Sequence, residues 1–402
     1  MIRENSVAET PHKDPGTCAG SLKETTCETA PCPPAFLEYT WYASLAYAIL
    51  GQVWGVVIPS VGGAVLGLLA AACFLSLGAQ ALRVYAPAAF ALCTGISSIA
   101  VAFFFHNAQS FENSLVFIGW LCNVVVAQAL SLRPGFLHRF AMAAFAIGLG
   151  VLPYVGGMAD AGFTRVAASG TGISNPNSLG MWFGFCTVYF LLWGVQTRSR
   201  SVRAVYWAAG LGCLLMVALT VSRGPLLGIV LACVVGLRSA LKRNFAPLLS
   251  LVFLMWGLYA AGVFQEKIDL YTSRGTEESG RGNVWPAAIE RASDSLWTGV
   301  GFDAIKTKIA WKTYITPHNA LLYILLGAGI IPLMCFLRYL AQASIGALRI
   351  MRNNDAGEAA LLPPLVTFAL IETMTLDTAF MSAWVIMVFA LAVVKRTPLP
   401  DR

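Results

Sequence analysis

The chain has 402 residues, of which 57% are hydrophobic and 12% are charged, and its mean hydropathy is +0.68. Soluble domains carry roughly 25% charged residues, so this composition excludes an ordinary water-soluble protein. The net charge of +7 could indicate nucleic-acid binding in a soluble chain. Here basic residues that flank membrane spans explain the charge better. We therefore interpret the chain as a polytopic membrane protein that contacts membrane lipids and no nucleic acid.

Apolar stretches follow one another along the chain, each close to the roughly 20 residues that a membrane-spanning helix needs. Before them, residues 1–36 are rich in Thr, Glu, Pro and Lys, and they predict a disordered tail. The pattern predicts an all-α membrane helix bundle of about twelve transmembrane helices. The predicted spans are 41–58, 62–79, 88–106, 114–131, 139–155, 178–195, 203–220, 224–240, 246–264, 318–340, 362–377 and 380–394.

These spans divide the chain into successive segments. Spans one to nine occupy residues 37–264, and spans ten to twelve occupy residues 318–396. Between them lies one large loop, 265–317, and a short tail follows at 397–402. Within the loop, a short amphipathic helix is predicted to lie along the bilayer surface. Its apolar face would be formed by Trp285, Ala288, Ile289, Ala292 and Leu296.

The positions of lysine and arginine predict the orientation in the membrane. The short odd-numbered connections contain only Arg165 and Arg223, whereas the even-numbered ones hold clusters such as Arg198, Arg200 and Arg203. By the positive-inside rule, both termini should be cytoplasmic. The loop 265–317 then lies on the outer face.

Three polar motifs share that outer face: "GTGISNPNSLG" (170–180), "TVSRGPLLG" (220–228) and the stretch from "SGRGNVWPAAIE" (279–290) to His318. Arg223 and Arg281 are candidate anion ligands, because a guanidinium binds phosphate oxygens in a bidentate fork and stays charged. The alternatives are that Arg223 snorkels to lipid headgroups and that Arg281 is a solvated loop charge.

His318 stands where the long loop meets an apolar run. A histidine near a helix start is often structural, yet an imidazole with its ordinary pKa near 6.5 is also a competent proton acceptor.

Asn175 and Asn177 make a turn and cap a span, or they contact substrate hydroxyls, as Asn319 also could. Glu372 and Asp377 either pair internally with an arginine or serve as an alternative base. No sequence motif for a metal or a nucleotide is present, so no cofactor is predicted.

Taken in order, "NPNSLG", "SRG", "RGNVW…TGVGF" and "HNALLYILLGAGI" resemble the O-antigen ligase and polymerase superfamily of bacterial polysaccharide assembly. The resemblance covers roughly residues 170 to 335. It implies an inverting glycosyltransferase in the inner membrane of a Gram-negative bacterium, with its active site facing the periplasm. The donor would be a glycan on undecaprenyl pyrophosphate, bound by Arg223 and Arg281, and His318 would be essential.

The resemblance favours a ligase, whose acceptor would be the lipid A-core oligosaccharide, because one periplasmic loop dominates. A repeat-unit polymerase with the same donor is the alternative within the family. A polytopic transporter is the alternative from another class. Transporters more often show internal repeats and broken helices at mid-membrane, whereas the polar candidates here cluster on the outer face.

Overall fold

A computed structural model describes residues 32–56, 59–77, 89–104, 118, 121–160, 163–238, 281–302, 305–310, 313–353, 355–373 and 383–396. The predicted span 246–264 and most of the predicted tail, residues 1–31, lie outside these residues. Each predicted span that the structure describes contains a helix, as the apolar pattern predicted. The first of these helices begins at Ala35, just inside the segment assigned to the tail.

The described α-helices are α1 (Ala35–Leu50), α2 (Pro59–Leu77), α3 (Ala89–Phe104), α4 (Leu121–Leu130), α5 (Phe136–Val151), α6 (Pro176–Gln196), α7 (Arg200–Leu219), α8 (Arg223–Gly236), α9 (Arg281–Ser293), α10 (Ala320–Ala328), α11 (Ile330–Asn353), α12 (Leu362–Thr373) and α13 (Ala383–Arg396). Two short 3-10 helices, Leu152–Tyr154 and Gly357–Leu361, adjoin α5 and α12.

Four of the described helices are long and apolar enough to cross a membrane: Phe136–Tyr154, Pro176–Gln196, Arg200–Leu219 and Ile330–Asn353. The first is α5 with its 3-10 extension, and the others are α6, α7 and α11. Helix α6 is buried on all sides, whereas α7 leaves many apolar side chains exposed, as a lipid-facing helix does. The described part of the chain is therefore a membrane helix bundle, and the number of twelve crossings stays a prediction.

Aromatic side chains connect the helices across the core. Trp41 of α1 packs on Phe140 of α5 with ring centroids 5.5 Å apart, and Phe140 packs on Phe185 of α6 at 5.8 Å. Phe185 then stacks on Trp384 of α13, which stacks on Phe368 of α12 at 5.1 Å. Each ring buries a large apolar area and adds edge or stacking attraction, so this series ties the first helix of the bundle to the last two.

A buried acidic side chain fixes the start of α1. Glu38, whose side chain is 1% exposed, accepts two hydrogen bonds from Arg139, at 2.7 and 2.9 Å. Arg133 lies 3.3 Å from the same carboxylate, and Tyr42 donates its hydroxyl to it at 2.6 Å. The paired cations compensate for the cost of burying the carboxylate.

The described residues are mostly helical, as the all-α prediction expects, and two short β-hairpins accompany the helices. Strands β1 (Val155–Asp160) and β2 (Phe163–Ala168) pair antiparallel between α5 and α6. Strands β3 (Thr307–Ala310) and β4 (Thr313–Ile315) form a second hairpin before α10. These strands are too short for a recognisable alternation of apolar and polar residues, so no strand was predicted at either place.

The predicted span 318–340 is not one continuous helix, because it breaks at Gly329 between α10 and α11. Gly329 has φ +88°, a conformation that favours glycine, and a side chain there would clash with the carbonyl oxygen of Trp297. The segment 295–302 docks against the break. Val300 donates its N–H to the carbonyl oxygen of Leu326 at 2.6 Å, and Ile330 donates to that of Leu296 at 2.8 Å. The freed backbone groups are thus paired by protein, as irregular backbone in a membrane requires.

Candidate functional site

Arg223 is the first residue of α8, and its side chain is exposed. The tight turn before it passes through Val221, whose φ is +53°. A β-branched residue at positive φ is a true outlier, because its side chain crowds the backbone there. Such strain persists only where surrounding contacts fix the backbone, and it is concentrated at functional sites.

Arg165, on β2, contacts this turn on both sides of Val221. Its side chain is almost fully buried, at 3% exposure. Its Nε donates to the carbonyl oxygen of Thr220 at 3.0 Å. One terminal nitrogen donates to Asn177 Oδ1 at 2.9 Å and to Ser222 Oγ at 3.2 Å. Arg165 is one of two basic residues in the short outer connections, but it was not predicted to be a site residue. The scarcity of basic residues in these connections is the sequence signal that points to it.

The motifs "NPNSLG" and "SRG" are in direct contact. Ser222 donates its hydroxyl to Asn177 Oδ1 at 3.0 Å. Gly180 lets the turn approach α6, because a side chain at this position would come within 2.8 Å of Thr220 Oγ1. Asn175 caps α6, as its side-chain oxygen accepts from the backbone N–H of Asn177 at 2.8 Å. The capping interpretation of Asn175 is therefore the one that the geometry supports.

His318 also has a strained backbone, with φ +46°, and its side chain is half-buried. The buried Pro317 before it accepts a hydrogen bond at its carbonyl oxygen from the indole of Trp285, at 2.8 Å. Asn319 after it caps α10, accepting from the backbone N–H groups of Leu321 and Leu322. Asn319 is 4% exposed, so its side chain serves the cap in this structure and does not face solvent.

Helix α9 begins at Arg281 and packs against α10 and β3. A helix lies where the amphipathic spacing predicted one. On its predicted apolar face, Ala288 and Ala292 are buried against protein, whereas Ile289 is 56% exposed and Leu296 is 40% exposed. Contact of the exposed apolar side chains with the bilayer surface stays a prediction.

Glu372 lies on α12 and is fully buried. It packs beside α8, because a side chain at Gly228 would meet its Oε1 at 3.4 Å. Gly228 is five residues beyond Arg223, which corresponds to about 7.5 Å along a helix axis. The carboxyl group therefore sits inside the bundle, below the turn that carries Arg223. The other carboxylate candidate, Asp377, lies outside the described residues.

The hydrogen bonds described above form two groups at helix starts. One, around Arg223, consists of Arg165, Asn177, Thr220 and Ser222. The other, around His318, links it to α9 through Trp285 and Pro317. Within the described residues, no group of three or more histidine, cysteine, aspartate or glutamate side chains is placed to share a metal ion.

Apolar helices in one bundle, with polar clusters at the ends of those helices, define a helical membrane protein. The family described as O-antigen ligase matches residues 208–337, a segment that contains Arg223, Arg281 and His318. This match supports the resemblance to the O-antigen ligase superfamily that the motifs predicted, over the segment it covers. Members of the family are glycosyltransferase-like enzymes, either ligases or polymerases. Arg165, Asn177 and Glu372 lie outside the matched segment. A search of curated proteins found no match.

Proposed function

We propose that the chain is an O-antigen ligase. It would transfer a glycan from undecaprenyl pyrophosphate to a hydroxyl of the lipid A-core oligosaccharide, at the periplasmic face of the inner membrane. One observation carries the proposal. Among the described residues, the non-glycine residues with positive φ are Val221 and His318. They lie in the two segments that hold the candidate ligand and the candidate base, and both fall within the matched region.

The proposed reaction is a single displacement that inverts the anomeric centre. The acceptor hydroxyl oxygen attacks the anomeric carbon of the donor sugar, and a new carbon–oxygen bond forms there. The bond from that carbon to the pyrophosphate oxygen breaks, and its electron pair leaves with undecaprenyl pyrophosphate. His318 takes the hydroxyl proton as general base.

In this proposal, Arg223 and Arg281 bind the pyrophosphate and stabilise the charge that develops on it. Pyrophosphate is a good leaving group, so the reaction needs charge stabilisation and an activated hydroxyl rather than a metal ion. The exposed side chain of Arg223 at the start of α8 supports this role. The position of Arg281 as the first residue of α9, joined to the His318 segment through Trp285, is consistent with it.

The transporter alternative would draw support from the broken helix at Gly329, because transporters bind substrate at such breaks. However, the N–H of Ile330 and the carbonyl oxygen of Leu326 at this break bond to Leu296 and Val300. The break is therefore occupied by the loop segment 295–302, which weighs against a substrate site there. The family match also favours a transferase over a transporter.

The test is to delete the gene from its host and examine surface lipopolysaccharide on gels. A ligase predicts loss of the capped ladder together with accumulation of lipid-linked polymer. A ladder reduced to single repeats would instead establish the polymerase alternative. Re-expression of the wild-type chain should restore the ladder, whereas the His318→Ala variant at equal abundance should not. An unchanged ladder in the deletion strain would reject both activities.

A further inference from the structure

A buried arginine with a defined set of acceptors lies behind the turn that presents Arg223. Burial removes a guanidinium from water, so a residue such as Arg165 is tolerated only where protein groups replace its hydration. Here the replacements include the carbonyl oxygen of Thr220, Asn177 Oδ1 and Ser222 Oγ. Two of these acceptors, on Thr220 and Ser222, flank the strained residue Val221.

We propose that Arg165 is a positioning residue, which holds the 220–222 turn in its strained conformation and thereby fixes the direction of Arg223. The inference rests on the proposed function, because the direction of Arg223 matters only if that residue binds the donor. It adds a residue outside the matched family segment, from a hairpin that the sequence did not predict.

The three polar side chains close a ring of hydrogen bonds. Arg165 donates to both Asn177 and Ser222, and Ser222 donates to Asn177. Ser222 occupies the N-cap position of α8 yet makes no side-chain cap there. Its hydroxyl belongs to the ring instead. The Ser222 hydroxyl oxygen also lies 3.3 Å from the carbonyl oxygen of Pro176, within hydrogen-bond distance. The start of α8 is therefore fixed to the start of α6 and to β2, and does not rest on its own cap.

The ring explains why the unfavourable φ of Val221 can persist. Released from outside contacts, a valine would return to negative φ, because its branched side chain crowds the backbone at +53°. Such a change would swing the following residues, and Arg223 comes only two positions later. Glycine adopts positive φ about as readily as negative φ, so a glycine at this position would tolerate the turn without the arginine. The proposal therefore predicts that Val221→Gly compensates for loss of Arg165.

The experiment compares Arg165→Met, Val221→Gly and the double variant in the full-length purified protein. Two properties are measured: hydrogen exchange of peptides covering residues 218–226, and the kcat and KM for glycan transfer. Arg165→Met should speed exchange across the turn and weaken transfer by about tenfold, mainly through the KM for the lipid-linked donor. Val221→Gly alone removes a buried side chain and should lower stability. Transfer by the folded variant should stay within about twofold of wild type, because glycine keeps the positive φ of the turn. The double variant should recover about fivefold over Arg165→Met, since the strain of the turn is gone.

Arg203→Met is the matched control. Arg203 also donates Nε and a terminal nitrogen to a backbone carbonyl, that of Thr197, but at the other end of α7. The Arg203→Met variant should leave both the hydrogen exchange of residues 218–226 and the glycan transfer unchanged. If Arg165→Met does not fold, Arg165→Lys keeps the charge and loses the fork, and the same rescue by Val221→Gly is expected.

A double variant no more active than the single variant would overturn the proposal. So would loss of transfer with unchanged exchange at the turn, because Arg165 would then act on the substrate directly. If the wild-type protein transfers no glycan, the proposed function fails. The exchange measurement then still decides whether Arg165 holds the turn.

Discussion

The indole nitrogen of Trp285 donates a hydrogen bond to the carbonyl oxygen of Pro317 across 2.8 Å, joining residues 32 positions apart. Trp285 lies one turn into the helix that begins at Arg281, and Pro317 directly precedes His318. One hydrogen bond therefore links the helix of a candidate phosphate ligand to the segment of the candidate base. The buried carbonyl oxygen of Pro317 also receives its hydrogen bond from a side chain that is distant in sequence.

Trp285→Phe should reduce transfer by about tenfold, because a buried carbonyl that loses its donor costs roughly 1–3 kcal/mol and His318 is the next residue. Turnover by the purified variant measures this. Trp297→Phe is the control: Trp297 is 69% exposed on the same segment of the chain, and its replacement should have little effect. Equal activity of both variants would show that the hydrogen bond does not position His318.

Arg223→Ala should lower activity about tenfold or more, since a charge-assisted contact contributes roughly 1.5–3 kcal/mol. Arg223→Lys should restore activity only in part, because a lysine lacks the bidentate fork. Arg200→Ala is a matched control, as Arg200 is also an exposed first residue of an apolar helix, at the far end of α7. Near-normal turnover by Arg223→Ala in a well-expressed protein would favour the snorkelling interpretation.

His318→Ala should lose transfer by about a hundred to ten thousandfold while keeping donor affinity, as expected for removal of a general base. His318→Gln retains hydrogen bonding but accepts no proton at working pH, so it should be nearly as inactive. The control is His138→Gln, because His138 bonds to Tyr189 at 2.6 Å within the helix bundle. Should His318→Gln keep more than about a tenth of the activity, His318 orients substrate and Glu372 becomes the next candidate base.

A cysteine at position 306 should react in intact cells with a reagent that does not cross the inner membrane, because 265–317 is predicted to be periplasmic. Lys306 is exposed and so accessible to the label. Arg198→Cys, exposed at the predicted cytoplasmic side, should react only after permeabilisation. Both variants are built with Cys18, Cys27 and Cys32 replaced by serine. The reverse pattern of labelling would invert the topology.

Glu38→Ala should lower the free energy of unfolding by roughly 2–4 kcal/mol, because it leaves Arg133 and Arg139 without their shared carboxylate. The value lies toward the lower part of the range for buried pairs, since the Arg139 side chain is 33% exposed. Thermal unfolding in detergent measures the loss, and Glu290→Ala, at an exposed site, is the control. A variant as stable as wild type would mean that solvent compensates both arginines.

The helical membrane class followed from sequence for a physical reason. In lipid every backbone N–H and carbonyl must be paired within the protein, which only helices and closed barrels achieve, and apolar stretches of about 20 residues have the length of a membrane-spanning helix. A local signal was also predicted from sequence, the asparagine cap of α6, because a cap depends on neighbours within three residues. The cap that Asn319 makes on α10 was not predicted. The motifs around Arg223, Arg281 and His318 likewise identified the family that matches residues 208–337.

Tertiary structure decided what depends on distant partners. Val221 and His318 have positive φ, and the residues beside them bond to Arg165 and Trp285, which lie about thirty to sixty positions away in sequence. Residues 296–300 dock at the break at Gly329, and the apolar local sequence did not predict either the break or the docking. Sequence periodicity indicates which face of a segment contacts water or lipid. It does not identify the distant side chain that contacts a strained turn. Only the folded chain brings a buried arginine, an amide and a hydroxyl together behind Arg223.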